Sequence, residues 1–347
     1  MRDAAAALVP ALQARAAALD ATGSFPAEDV AALRQADFLS APLPERLGGL
    51  GVGTECGQGR LTAALLRCFG RGNLAVARLY EAHVNALRLI MVFGTPAQQR
   101  EAAEDVLAGH LFGLWVTDAP RAPALQAHGG VLSGAKGPCS GAGHCTRALV
   151  TVGERMAVIG LDGREAVTAI TGLQGMRAAA NGVIGLDGVR VRFWLGAAGD
   201  YLREPDFSCG AWRGSAAASG ALDALVAAVA ADLRRKQQDD APMQQARFGM
   251  MLIAQETARL WVERAASIAE DKDPAPALQV AIVNLARIAV ESACLDALRE
   301  AQRSLGLAAF VAPHPVERIA RDLGTYLRQP APDAVLLEAA SWTLRQG

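Results

Sequence analysis

The segment RDLGTYLRQPAPD, Arg321 to Asp333, is the part of this 347-residue chain that most directly raises a chemical question. A helix-forming run carrying the Arg321-Asp322 pair meets Pro330-Ala331-Pro332 and ends on the carboxylate of Asp333. Prolines fix extended backbone and donate no hydrogen bond, so they close one helix and let the next begin. A carboxylate at such a break can serve as a general base. Asp333, lying before AVLLEAASWTLRQ, equally suits the N-cap of the following helix, where it would accept from free backbone N–H groups. A second grouping, Cys139, His144 and Cys145, holds metal-ligand and redox types. No two of the six cysteines form Cys-x-x-Cys and the five histidines are scattered. That spacing favours small buried thiols in a reducing compartment and gives no support to a metal.

Charge bounds the partners. Lys and Arg total 34 against 35 Asp and Glu, a net charge of -1, which gives no electrostatic ground for nucleic acid or an anionic membrane. Lysine is confined to Lys136, Lys236 and Lys272, while Ala and Arg are inflated together, a composition bias and not an arginine-rich binding face. The first residues look superficially like a signal peptide, but Pro10, Gln13, Arg15 and Asp20 interrupt the apolar run. No other stretch approaches the ~18 uninterrupted apolar residues of a membrane span. A soluble, cytoplasmic chain is expected.

The elements that must position these groups fall into three regions. Over residues 1–111 the apolar spacing is helical. Ser24 is placed to cap a helix over AEDVAALRQADFL, PLPERLGGLGVG is loop, and Gly94 closes a helix that begins near Leu74. In TPAQQREAAEDVLAGH, Thr95 caps, Pro96 takes the first helical position and Gln98 stands at capping-box spacing. Over 112–205 the rhythm shortens to RALVTV, MAVIGL, AVTAI and VRVRFWL, separated by glycine turns, which predicts a compact β module. Over 206–347 long helical runs rich in Ala, Gly and Ser return, predicting an antiparallel four-helix bundle. The fold class is therefore α+β with segregated elements, and no GxGxxG-bearing strand–helix alternation is present.

This order resembles the acyl-CoA dehydrogenase superfamily along nearly the whole chain. The resembling stretches are LPERLGGLGVG, FGTPAQQREAAEDVLAGH, WVTD, SGAKGPCSGAGHCTRALV, ARFG and HPVERIARDL, in the family's order. The resemblance implies an N-terminal helical domain, a central small β-barrel or sheet domain and a C-terminal four-helix bundle. It also implies FAD between the β domain and the bundle. Homodimers or homotetramers would complete the cofactor site, and the substrate would be acyl-CoA or an acyl carrier.

Residue by residue, the resemblance places the backbone of Val116 and the hydroxyl of Thr117 against the flavin ring. Asp118 replaces the family's Glu, and its Gly-Ser-Asp phosphate contact is absent from APRAPALQA. Ser140 matches a second flavin contact, but Pro138 stands where the family has a tryptophan. Trp115 offers replacement aromatic surface, or fills core as buried tryptophans commonly do. The pyrophosphate arginine is replaced by Gln245, with Arg247 two residues on, and the Gly-Gly turn keeps Gly306 but substitutes Leu307. Successive helix positions differ by about 100° in direction, so Arg247 is a displaced substitute.

The family's base is a glutamate in one of two seats. Here those seats hold Pro330 and Trp212, so no catalytic residue is assigned beyond Asp333. A general base contributes roughly 10²–10⁴-fold. Three readings follow: an acyl-CoA dehydrogenase-like FAD oxidoreductase, a flavin-dependent monooxygenase on the same scaffold, or an FAD-less homologue acting as an assembly or binding subunit. If Ser140 borders the flavin, Ser140→Trp crowds the ring, and the flavin-to-protein ratio of the purified variant should fall well below wild type.

Overall fold

A computed structural model describes residues 1–120, 122–163 and 165–346. The helices α1 (Arg2–Thr22), α2 (Ala27–Gln35), α3 (Gly59–Gly72), α4 (Leu74–Phe93) and α5 (Pro96–Leu107) come first. The strands β1 (Phe112–Trp115), β2 (Gln126–His128), β3 (Val131–Ser133), β4 (Ala135–Cys139), β5 (Arg147–Val152), β6 (Arg155–Gly160), β7 (Val167–Ala169), β8 (Gly182–Gly185) and β9 (Val191–Leu195) follow. Helices α6 (Asp206–Cys209), α7 (Trp212–Arg235), α8 (Pro242–Ala269), α9 (Pro276–Leu305), α10 (Pro315–Tyr326) and α11 (Pro332–Leu344) complete the chain. This is a helical N-terminal domain, a central sheet domain and a helical C-terminal domain.

The local signals act as their chemistry requires, with two corrections. Thr95 and Gln98 exchange hydrogen bonds in a complete capping box, with Pro96 at N1 of α5. Ser24, however, does not cap α2. Gly23 ends α1 in the left-handed region, and the Ser24 N–H donates to Leu19 O at 3.2 Å, so Ser24 belongs to the closing turn of α1. Likewise Asp333 is not an N-cap. Pro332 takes N1, as its missing N–H favours, so the cap position falls to Ala331 and Asp333 is exposed in the first turn.

The β module consists of a four-stranded sheet in the order β1-β5-β6-β9, a three-stranded β4-β8-β7 sheet and a β2-β3 hairpin. Within the first, β1 runs parallel to β5 with Trp115 opposite Val150, and the other pairs are antiparallel. In the C-terminal domain α7, α8 and α9 pack on one another, α10 lies against α7 and α9, and α11 covers α9. Helices α7 and α9 are long and apolar enough to cross a membrane, but the most apolar window of α7 is 78% buried in protein and that of α9 56%. Most of the first window and just over half of the second thus pack inside the protein.

The crossing of α3 over α7 is set by two glycines. A Cβ on Gly70 would lie 2.1 Å from Ala217 O, and one on Gly220 would lie 2.1 Å from Arg67 O. Arg67 and Asp223 close the same crossing with a bidentate pair at 2.5 and 2.8 Å. Backbone oxygens cannot yield as a flexible side chain can, so Gly220→Ala should destabilise the protein by ~2–3 kcal/mol or more, read as a lower urea midpoint.

His83 joins the N-terminal helices to the β module. Its Nδ1 accepts from the Phe112 N–H at 3.1 Å, which leaves Nε2 to donate to Leu39 O at 2.8 Å. The ring is fully buried, and that burial lowers its pKa to about 4. A second proton would set two donors face to face at Nδ1. The contribution of neutral His83 is therefore complete above its unfolded value near 6.5 and is lost as pH falls toward 4. Between about pH 7.5 and about pH 5 wild type should lose roughly 2 kcal/mol more stability than His83→Gln, measured by urea unfolding at both pH values.

Candidate functional site

The Arg321-Asp322 pair is structural. Asp322, buried, accepts from the Met176 N–H at 2.6 Å and from Arg318 at 3.2 Å. Arg321 reaches Asp20 of α1 at 2.6 Å, Glu317 at 2.5 Å and Gln174 O at 2.8 Å. One turn of α10 thus ties α1, the β-module loop and the bundle together. Burial pushes the Asp322 carboxyl up despite Arg318, so its protonated form is favoured more than in the unfolded chain.

On the β side, the ends of β1 and β4 are bound side by side. The Gly137 N–H donates to Thr117 O at 3.0 Å, and the Trp115 indole donates to Ser140 O at 3.0 Å. Trp115 is 2% exposed and packs in the core, so its indole orients Ser140 from within. Val116 gives its carbonyl to Lys136 at 2.9 Å and Thr151 at 2.7 Å. Lys136 is buried and also holds Asp118 at 2.6 Å. The Thr117 side chain is exposed, while the half-buried Ser140 hydroxyl donates to Asn181 at 2.9 Å. The segments that carry Thr117 and Ser140 are therefore tied together through their backbone carbonyls.

The remaining residues anticipated at a cofactor stand elsewhere. Arg247, half-buried on α8, makes no hydrogen bond or ion pair among the described residues. Gly306 ends α9 at φ +60 and ψ -137, a conformation essentially restricted to glycine. Cys139 and Cys145 are buried, and burial pushes both thiols up, Cys145 to about 12. His144 stacks on Phe25 with centroids 4.1 Å apart.

The break at Gln329–Ala331 is one wall of a cavity of about 380 Å³. Its other walls come from α4, α7, α9 and the segment around α6, with Leu114 of β1 facing it from the sheet. Pro330 and Ala331 line it and Asp333 does not. The carboxylates that reach it are each paired: Glu81 with Arg78 at 2.5 Å, Asp206 with Arg88 at 3.4 Å and Glu291 with Arg328 at 2.5 Å. Tyr326 closes on Glu81 at 3.5 Å. Arg213 is buried, donating to Asn85 and Gly53 O at 2.9 Å each, with Glu270 at 3.5 Å. Burial pushes Arg213 down and Glu270 up, as expected when two ions leave water together. Trp212, in the second glutamate seat, is fully buried.

Family models for the acyl-CoA dehydrogenase N-terminal domain match residues 1–110, and for its C-terminal domain residues 214–328. The chain belongs to the acyl-CoA dehydrogenase family. A 3-sulfinopropanoyl-CoA desulfinase of Variovorax paradoxus is 34% identical over 94 residues, which span 27% of this chain and 23% of that relative. Among solved structures, a glutaryl-coenzyme A dehydrogenase in its glutaryl-CoA complex superposes with a TM-score of 0.85 at 20% identity, over 99% of this chain and 94% of that one. FMN-bound TdsC from Paenibacillus sp. A11-2 gives 0.84 at 16% identity, over 100% and 97%. At these identities the structural likeness establishes the fold.

Most cavity residues escaped the reading of the sequence. A signal was present: Glu81, Asn85 and Arg88 recur at helical spacing on the apolar α4, and Asn284, Arg287 and Glu291 do so on α9. Each is a polar stripe on a helix whose other faces are apolar, so it must face either water or a cavity.

Proposed function

We propose that this chain is a flavin-dependent enzyme of the acyl-CoA dehydrogenase type that acts on an acyl thioester. The reading rests on one juxtaposition: the cavity beneath Pro330 opens toward Leu114, three residues from Thr117. The names of two similar proteins, a 3-sulfinopropanoyl-CoA desulfinase and a glutaryl-CoA-bound dehydrogenase, support an acyl-CoA substrate. FMN-bound TdsC supports a flavin.

The finer assignment is FAD. Val116, Thr117 and Ser140 would border its ring, while Arg247 and Gly306 of a second copy in a homodimer or homotetramer would approach its phosphates. An exposed Thr117, on a segment tied by its backbone to β4, is the observation with which a flavin edge fits. When bound, a flavin supplies hydride acceptance or, once reduced, oxygen chemistry. The chain itself excludes water with α4, α7 and α9 and holds the acyl group between the β module and the break. Pro330 and Trp212 stand in the family's glutamate seats, and among the described residues each carboxylate lining the cavity is engaged by an arginine. That favours a second reading, oxygen-dependent hydroxylation by reduced flavin, which does not need the family's base.

The freshly purified protein should be yellow, or become so with FAD. Anaerobic acyl-CoA bleaching the visible band indicates dehydrogenation; oxygen-dependent turnover with a flavin reductase indicates hydroxylation. A protein that stays colourless with both FAD and FMN overturns both.

A further inference from the structure

We propose that the cavity receives an acyl chain whose far end carries a second anion, a carboxylate or similar oxyanion, held by Asn284 and Arg287 of α9. The proposal deepens the acyl-thioester reading and rests on it for the identity of the chain. Its ground is an asymmetry in the lining. Among the described residues, the buried side-chain atoms of this cavity without a hydrogen-bond partner are Arg213 Nε, Asn284 Nδ2 and Arg287 Nε. All three are donors. The acidic side chains there each have an arginine, so unmet acceptors are not what the site offers.

Asn284 is 2% exposed, and an amide that deep is costly to leave unbonded. Arg287 stands one turn further along the same face of α9. It donates to Pro330 O, at the break itself, yet has no carboxylate within ion-pair distance among the described residues. Burial disfavours its charge, and Glu291 only partly compensates, being itself engaged by Arg328. A neutral acceptor would answer the hydrogen bonds but leave this cation uncompensated. An oxyanion answers both, and the forked guanidinium suits a carboxylate.

The anion could instead be a phosphate of CoA, and the test separates the two sources. Binding is measured by titration calorimetry of the full-length protein with C4–C8 acyl thioesters ending in carboxylate or methyl. Each is presented both as the CoA ester and as the phosphate-free N-acetylcysteamine ester. Free C4–C8 dicarboxylates form a third series. At one chain length or more, the carboxylate-ended ester should bind at least about tenfold tighter than its methyl-ended analogue in both forms. Arg287→Met and Asn284→Leu should remove that preference by weakening the carboxylate-ended ligands far more than the methyl-ended ones, with Arg287→Lys restoring part of it. Circular dichroism and melting temperature confirm that the variants are folded.

Equal affinity for both chain ends at every length overturns the proposal, as does an equal loss for both in Arg287→Met. A preference that appears only in CoA esters, and tracks CoA alone, assigns the anion to phosphate and also overturns it. If no thioester binds but a dicarboxylate does, in an Arg287-dependent way, the anion site stands and the acyl-thioester reading falls. If neither binds, both fall.

Discussion

The close crossing of α3 and α7 is the constraint on which the rest depends. Gly70 and Gly220 let each backbone approach the other to a distance that no Cβ would tolerate, and Arg67 with Asp223 clamps the crossing beside them. Helix α7 then packs against α4, α8, α9 and α10, so the N-terminal and C-terminal helices share one core. Its first turn carries Trp212 and Arg213. The position of that turn over α4 therefore follows from one missing side chain further along α7 and one on α3.

The second constraint is the turn of α10 that holds Arg321 and Asp322. It binds a backbone amide of the β module, a carboxylate of α1 and its own helix, which fixes the exit of α10 relative to the sheets. Leu327, Gln329, Pro330 and Ala331 leave that exit to form the cavity wall. The break at Gln329–Ala331 is thus a wall of the cavity, and Asp333 stands outside its lining. The prolines make the wall stiff, and Arg287 anchors it through Pro330 O.

On the opposite side, buried Lys136 and the Trp115 indole organise the edge formed by β1 and β4. A buried amine with three oxygen partners and an indole with one are hydrogen-bonded core, and they fix Val116, Asp118 and Ser140 without being exposed themselves. The rigidity of the joined strand ends belongs to these buried groups.

The helix periods, the change to short β-branched strands near residue 112 and the capping box at Thr95 with Pro96 at N1 were all legible in the chain, because each depends on residues close together in sequence. The six ordered stretches carried the family for the same reason. Ser24 and Asp333 were misjudged by one or two positions, since a neighbouring Gly23 or Pro332 competed for the same backbone groups. The cavity was not legible. Glu81, Arg213 and the Asn284–Arg287 pair lie far apart in sequence, and whether a polar stripe on an apolar helix meets water, a partner or a ligand depends on what packs opposite it. Local sequence fixes dihedrals and periods through short-range sterics and hydrogen bonds. Only the tertiary structure, through long-range packing, decides which donors converge and which of them lack a partner.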